Sequence, residues 1–222
     1  MIVGASSRVV RMSHPDPNGP ADTRPITAGE VWENPVSGEH AILVELPYAH
    51  LDGHCVAELT ALAGTRVGGE HRHPAAVERF TVLEGELTVK RNGQEHRLGT
   101  GETMTIEAGI WHDWWNESDR DARLRAEITP GERIIHMIET VWGVARLGHS
   151  NSKGAPHPLQ LALTAREFRD VVVFRSPPFA VQRALFGALA PIARRRGYRA
   201  TYPQLSRAVA TPLAGVRERS QS

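Results

Sequence analysis

Three histidines and one glutamate carry the chemistry this chain can do. His71 and His73 stand two apart, so on an extended strand both imidazoles project to the same side. Glu78 follows within Val77-Glu78-Arg79-Phe80-Thr81-Val82-Leu83, which reads as a second strand. His112 comes later, between Gly109-Ile110-Trp111 and the pair Trp114-Trp115. Three neutral imidazoles and one carboxylate are the donor set of a divalent transition metal, whether Fe, Mn, Ni, Cu, Co or Zn. They can meet on one ion if the sheet carrying them closes on itself. The set leaves a divalent ion with residual positive charge, suited to an anionic or enolic substrate or to superoxide formed from O2. Chemistry further requires an open coordination position. Glu78 is also the candidate catalytic proton acceptor.

Residues two away from a ligand on the same strand share its face. Phe80 and Val82 lie beyond Glu78, and Ile110 and Trp114 flank His112, so these four are the candidate substrate-binding wall. A dry lining of this kind favours an apolar or aromatic small molecule. The alternative is that Phe80 and Trp114 simply fill the interior. Trp111 and Trp115 have the opposite alternation and are expected outside, against helices that follow. Arg79, Glu45, His54 and Glu127 are polar neighbours without a spacing argument, and His96 and His136 read as structural.

Many short strands separated by glycine turns must position this set. Runs at Gly29–Pro35, Ala41–Leu46, Val56–Leu62, Thr103–Ile106 and Ala122–Ile128 alternate or are β-rich. Glu84-Gly85-Glu86 reads as a turn after which Leu87–Lys90 pairs back on the Glu78 strand. Asn92-Gly93 is a strong hairpin signal. The pattern implies a closed antiparallel barrel or jelly roll. The period then changes. Thr129-Pro130-Gly131-Glu132 has the form of a capping box, and Ile134, Ile135, Ile138, Val141 and Trp142 recur at helical spacing up to Gly148. Two further helices are expected, from Pro158 and from Pro178.

The ligand pattern resembles the cupin superfamily. Its first motif, Gly-x5-His-x-His-x4-Glu-x6-Gly, is met by His71, His73, Glu78 and Gly85, with Thr65 where the leading glycine is expected. Its second, Gly-x5-Pro-x-Gly-x2-His-x3-Asn, is met by Gly101, Gly109, His112 and Asn116, with Glu107 in place of proline. Both departures fall at turns, not at ligands. The resemblance implies a mainly β chain: a cupin jelly-roll barrel with about three C-terminal α-helices. It implies His71, His73, Glu78 and His112 as ligands of one metal ion. It is weak for reaction, because cupins host oxygenases, isomerases, decarboxylases, stores and sensors. A dioxygenase is the expected activity; a non-redox isomerase or cyclase and a non-catalytic ligand sensor are the alternatives.

The division expected from these signals is an N-terminal arm and linker (1–28), the barrel (29–129), a helical extension (130–205) and a flexible tail (206–222). A short strand is expected over residues 5–12; cupins often pair such a strand with a neighbouring subunit, so the resemblance implies a homodimer. The single cysteine, Cys55, excludes an internal disulfide and suits a reducing cytosol; it reads as a small buried residue. No apolar run is long enough to span a bilayer, and the start lacks a secretory pattern. Residues 150–222 hold twelve basic against three acidic side chains, while residues 1–149 hold fourteen against twenty-two. The acidic front argues against nucleic acid as a partner of the barrel. Arg194-Arg195-Arg196 beside an apolar helix face admits membrane-surface contact, but the plainer reading packs that face on protein.

Overall fold

The computed structural model describes residues 26–66, 69–151 and 154–202. The strand expected at 5–12, the proline-rich linker up to residue 25 and the tail from 206 lie outside the described residues. These contain eleven strands and three α-helices.

Alternation decides which faces the strands bury. In β2 (Glu39–Glu45) Ala41 and Leu43 are buried while Ile42 and Val44 are exposed. In β10 (Ala122–Thr129) buried Ala122 and Leu124 alternate with exposed Arg123 and Arg125. The antiparallel ladders gather into two sheets. One has the order β1-β2-β3-β10-β5-β8, with β1 Val31–Asn34, β3 Cys55–Ala61, β5 Val77–Glu84 and β8 Thr103–Ile106. The other has the order β11-β4-β9-β6-β7, with β4 His71–Arg72, β6 Glu86–Arg91, β7 Gln94–Gly99, β9 His112–Trp115 and β11 Val173–Phe174. The inner faces meet in a core of Phe80, Val82, Leu87, Val89, Leu98, Ile106, Trp114 and Leu124. The two sheets are a jelly roll rather than one continuous hydrogen-bonded ring.

Two expectations about turns have opposite outcomes. Asn92 and Gly93 both have positive φ, 49° and 84°, and join β6 to β7 as a hairpin. Gly85 does not make a hairpin. Strand β5 pairs with β10 and β8, whereas β6 pairs with β7 and β9. The chain therefore crosses between sheets at Gly85, where φ is 80° and an added Cβ would sit 2.8 Å from the Asp121 carbonyl oxygen. Close approach and a left-handed backbone both demand glycine there.

Helix α1 (Glu132–Arg146) packs Ile135 and Trp142 on Trp32, Ala41, Leu43 and Cys55 of the larger sheet. Its N-cap is Gly131, not Thr129. Thr129 remains in β10 opposite Val77, and its hydroxyl bonds His54 Nδ1, so no capping box forms. Helices α2 (Pro158–Glu167) and α3 (Phe179–Arg195) pack on each other through Leu159, Leu163, Ala190 and Ala193. The loop after α2 joins α1 and the barrel through Ala76, Ile134, Phe168 and Val171. Strand β11 then adds to the edge of β4, a pairing that a two-residue segment does not announce in sequence.

Candidate metal centre

The four chemical side chains come from both sheets. His71 opens β4 and is the register partner of His112, which opens β9. His73 follows β4 directly, and Glu78 is the second residue of β5 in the opposite sheet. Their ligand atoms all lie within 4.8 Å of one another. The imidazole centroids are 4.3 Å apart for His71 and His112, 5.2 Å for His71 and His73, and 5.3 Å for His73 and His112. The three histidines are almost fully buried, and Glu78 keeps 15% of its side-chain surface open.

Each imidazole is held by its inner nitrogen. Nδ1 of His71 donates to the Gly69 carbonyl at 3.0 Å, that of His112 to the Ile110 carbonyl at 3.0 Å, and that of His73 to the Val171 carbonyl at 2.8 Å. A carbonyl only accepts, so the proton sits on Nδ1 and the Nε2 lone pair is left for the cluster. His112 Nε2 and Glu78 Oε2 approach to 2.9 Å outside hydrogen-bond geometry, and both are buried with no hydrogen-bond partner. Two acceptors facing each other in a desolvated site need a cation between them. Three imidazole nitrogens and a carboxylate oxygen fit a divalent transition metal in donor type and number.

Burial and neighbouring charge act differently on the members of the cluster. Burial, with His112 and His73 alongside, pushes the His71 imidazole down to about 4, which keeps it neutral and able to ligate. Burial also opposes charge on His73 and on Glu78. The Glu78 carboxylate nevertheless outweighs it at His73, lifting that imidazole, and the His112 and His73 rings hold the Glu78 carboxyl well below the usual range. The cluster is a buried anion surrounded by nitrogen donors.

The four residues expected as a substrate wall are placed unequally. Phe80 and Val82 are fully buried in the core beyond Glu78, with Trp114 beside Phe80 at a centroid distance of 5.9 Å. Ile110 is half-buried against the same core, and its backbone carbonyl accepts from His112 Nδ1. Trp115 is buried rather than outward on the helices: the Arg66 guanidinium lies 4.4 Å from its centroid and its indole nitrogen donates to Glu117. Trp111 carries Arg72 and Arg175 on its ring. The polar neighbours are occupied elsewhere, Arg79 with Glu127, Glu45 with His50 and His54 with Thr129. Cys55 is buried, and burial with nearby Glu45 pushes its thiol up to about 11, so it is inert. Asn116 is structural, its amide donating to the carbonyls of Ala61, Leu62 and Arg120.

Sequence reasoning missed what the extension brings to this site. Val171 supplies the carbonyl that orients His73, and Phe174 of β11 pairs with His71 and stands 5.9 Å from its ring. Arg175 locks the same segment by donating from its backbone to the Glu70 carbonyl and from its side chain to the Glu70 carboxylate at 3.0 Å. Gln182 of α3 donates to the Phe174 carbonyl. The signal available in sequence was the aliphatic run Val171-Val172-Val173 before Phe174, a β-prone segment between two helices.

Residues 58–129 match the family model of the cupin domain. Over 67 residues the chain is 37% identical to the HTH-type transcriptional regulator PuuR of Escherichia coli, covering 30% of this chain and 36% of that one. Over 89 residues it is 28% identical to the tetracenomycin polyketide synthase protein TcmJ of Streptomyces glaucescens, covering 40% and 53%. The chain therefore spans between a third and about half the length of these relatives. Among solved structures, a predicted oxalate decarboxylase from Thermotoga maritima aligns with TM-score 0.41 and 22% identity, over 46% of this chain and 91% of that one. Residues 58–129 of this chain are therefore a cupin domain.

Proposed function

We propose that this chain is a metal-dependent enzyme acting on a small, apolar or aromatic organic molecule, and that it is a dioxygenase. The observation that carries the reading is the buried opposition of His112 Nε2 and Glu78 Oε2, with three imidazoles each locked through Nδ1. His71, His73, Glu78 and His112 would hold one divalent ion. When bound, that ion supplies Lewis-acid or redox chemistry toward a substrate oxygen and O2.

The chain's own residues do the rest. The carbonyls of Gly69, Ile110 and Val171 fix the three rings, so the donor set is preorganised before any ligand arrives. Phe174 and Ile110, the half-buried apolar groups next to the ligands, would face the substrate, while Phe80, Val82 and Trp114 exclude water from behind. Glu78, the most open member of the set, would accept a substrate proton at its carboxylate. The barrel over residues 29–129 would carry the chemistry, and the extension over 130–205 would complete its wall through residues 171–175.

The test is oxygen consumption by the chain reconstituted with Fe(II), Ni(II) or Cu(II), against a panel of enolic and phenolic aromatics. Stoichiometric O2 uptake that disappears in Glu78→Ala supports the dioxygenase. A product of unchanged mass with no O2 uptake supports a metal-dependent isomerase or cyclase instead. Tight ligand binding without turnover supports a sensing module, the reading favoured by the likeness to the regulator PuuR.

A further inference from the structure

A concave site lies away from the metal cluster, where α1, the end of α2 and the end of α3 converge. It encloses about 430 Å³ and is lined by Arg133, Arg166, Arg169 and Arg194, by Glu167 and Asp170, and by Leu163 and Ala200. Four guanidiniums against two carboxylates is an unusual wall for a cleft that serves only packing. The charges are also not mutually satisfied.

Arg133 takes both acids. Its Nε lies 2.7 Å from Asp170 Oδ2, its Nη2 donates to the Glu167 carbonyl at 2.8 Å and lies 3.7 Å from Glu167 Oε1, and its plane rests over Phe168. Arg133 is thus a fixed buttress. The guanidiniums of Arg166, Arg169 and Arg194 form no hydrogen bond or ion pair among the described residues. Three unspent cations around one concavity focus a positive potential into it. Guanidinium forks match the tetrahedral oxygens of phosphate and bind them bidentately. The lining's net charge, four positive against two negative, balances a phosphate dianion. Leu163 and Ala200 add an apolar surface for an organic remainder, and the volume lies within the usual range for small-molecule pockets.

We infer that this cleft binds the phosphate group of a small phosphomonoester. The site shares no residue with His71, His73, Glu78 or His112. It abuts the segment that serves them, because Arg169 and Asp170 immediately precede Val171.

The test is isothermal titration calorimetry of the full chain with inorganic phosphate and with glycerol 3-phosphate, in chloride buffer at constant ionic strength. The expected result is saturable binding of one ligand per chain. It should weaken at least about tenfold in the Arg166→Ala/Arg169→Ala double variant. It should not change in Arg196→Ala, which removes a nearby exposed arginine outside the cleft. All three arginines are exposed, so the variants are expected to fold, and circular dichroism confirms it. Heats that never saturate up to about 10 mM ligand would overturn the assignment. So would equal affinity in the double variant, or an equal loss in Arg196→Ala.

Discussion

The two ends of the space between the sheets are built from the same strands and have opposite characters. Along β5, Glu78, Phe80 and Val82 share one face: the first is an anion among imidazoles and the others are fully buried core. Along β9, His112 and Trp114 repeat the pattern. A shift of two residues along a strand separates ligand from packing. The apolar end is satisfied by its own contacts. The polar end is not, because its acceptors lack donors and its third histidine is held by a carbonyl from outside the barrel. Packing and the candidate metal centre therefore occupy adjacent rungs of the same ladders.

Substitutions at the two ends should separate these properties. Phe80→Ala opens a void in the packed end and should cost about 3–5 kcal/mol in denaturant unfolding, while the folded fraction still takes up metal in mass-spectrometric analysis. His112→Ala should do the reverse. At a metal concentration about a hundredfold over Kd, the wild-type chain should gain about 2.7 kcal/mol, seen as a raised Tm, and the variant should gain nothing. If both variants lost stability and loading together, the two ends would not be independent.

Glu39 sharpens the contrast, as a buried carboxyl that serves no site. Burial pushes it up to about 7 against an ordinary value of 4.5, opposed by a hydrogen bond from Ser37. Between these two values the folded chain retains a proton that the unfolded chain releases. Its contribution is therefore fully present below pH 4.5 and is lost as pH rises to 7. Glu39→Gln should remove that slope and stabilise the chain at pH 8 by on the order of 2 kcal/mol, measured by urea unfolding at both ends of the window. A slope that persists in the variant would assign the pH dependence elsewhere. The smallest effect is expected at the junction. Phe174→Ala should leave the barrel folded and weaken metal binding about tenfold, or about 1.4 kcal/mol, in a competition titration against a chelator.

What was legible in the sequence was local or strictly periodic. The candidate ligands stood out because His71 and His73 share a strand face and the glycines punctuate at fixed offsets. The Asn92-Gly93 hairpin was legible because two consecutive positive φ angles need that pair. The crossing at Gly85 was not, since a glycine turn looks the same whether the next strand pairs back or leaves for another sheet. The cap at Gly131 was missed because the pairing of Thr129 with Val77 competes for the residue that local chemistry assigns to the helix. The run before Phe174 was readable as β-prone, but its place beside the site was not, because that depends on a backbone carbonyl and a two-residue strand joined across about a hundred positions.

On the proposed reading, three imidazoles and one carboxylate surround a single cation between the sheets. X-ray absorption fine structure on the chain reconstituted with one divalent metal tests it most directly. The expected result is three imidazole ligands at about 2.0–2.1 Å and a carboxylate oxygen at similar distance, with the imidazole count falling to two in His71→Ala. Fewer than three imidazoles in the wild-type chain, or a sulfur scatterer from Cys55, would contradict it.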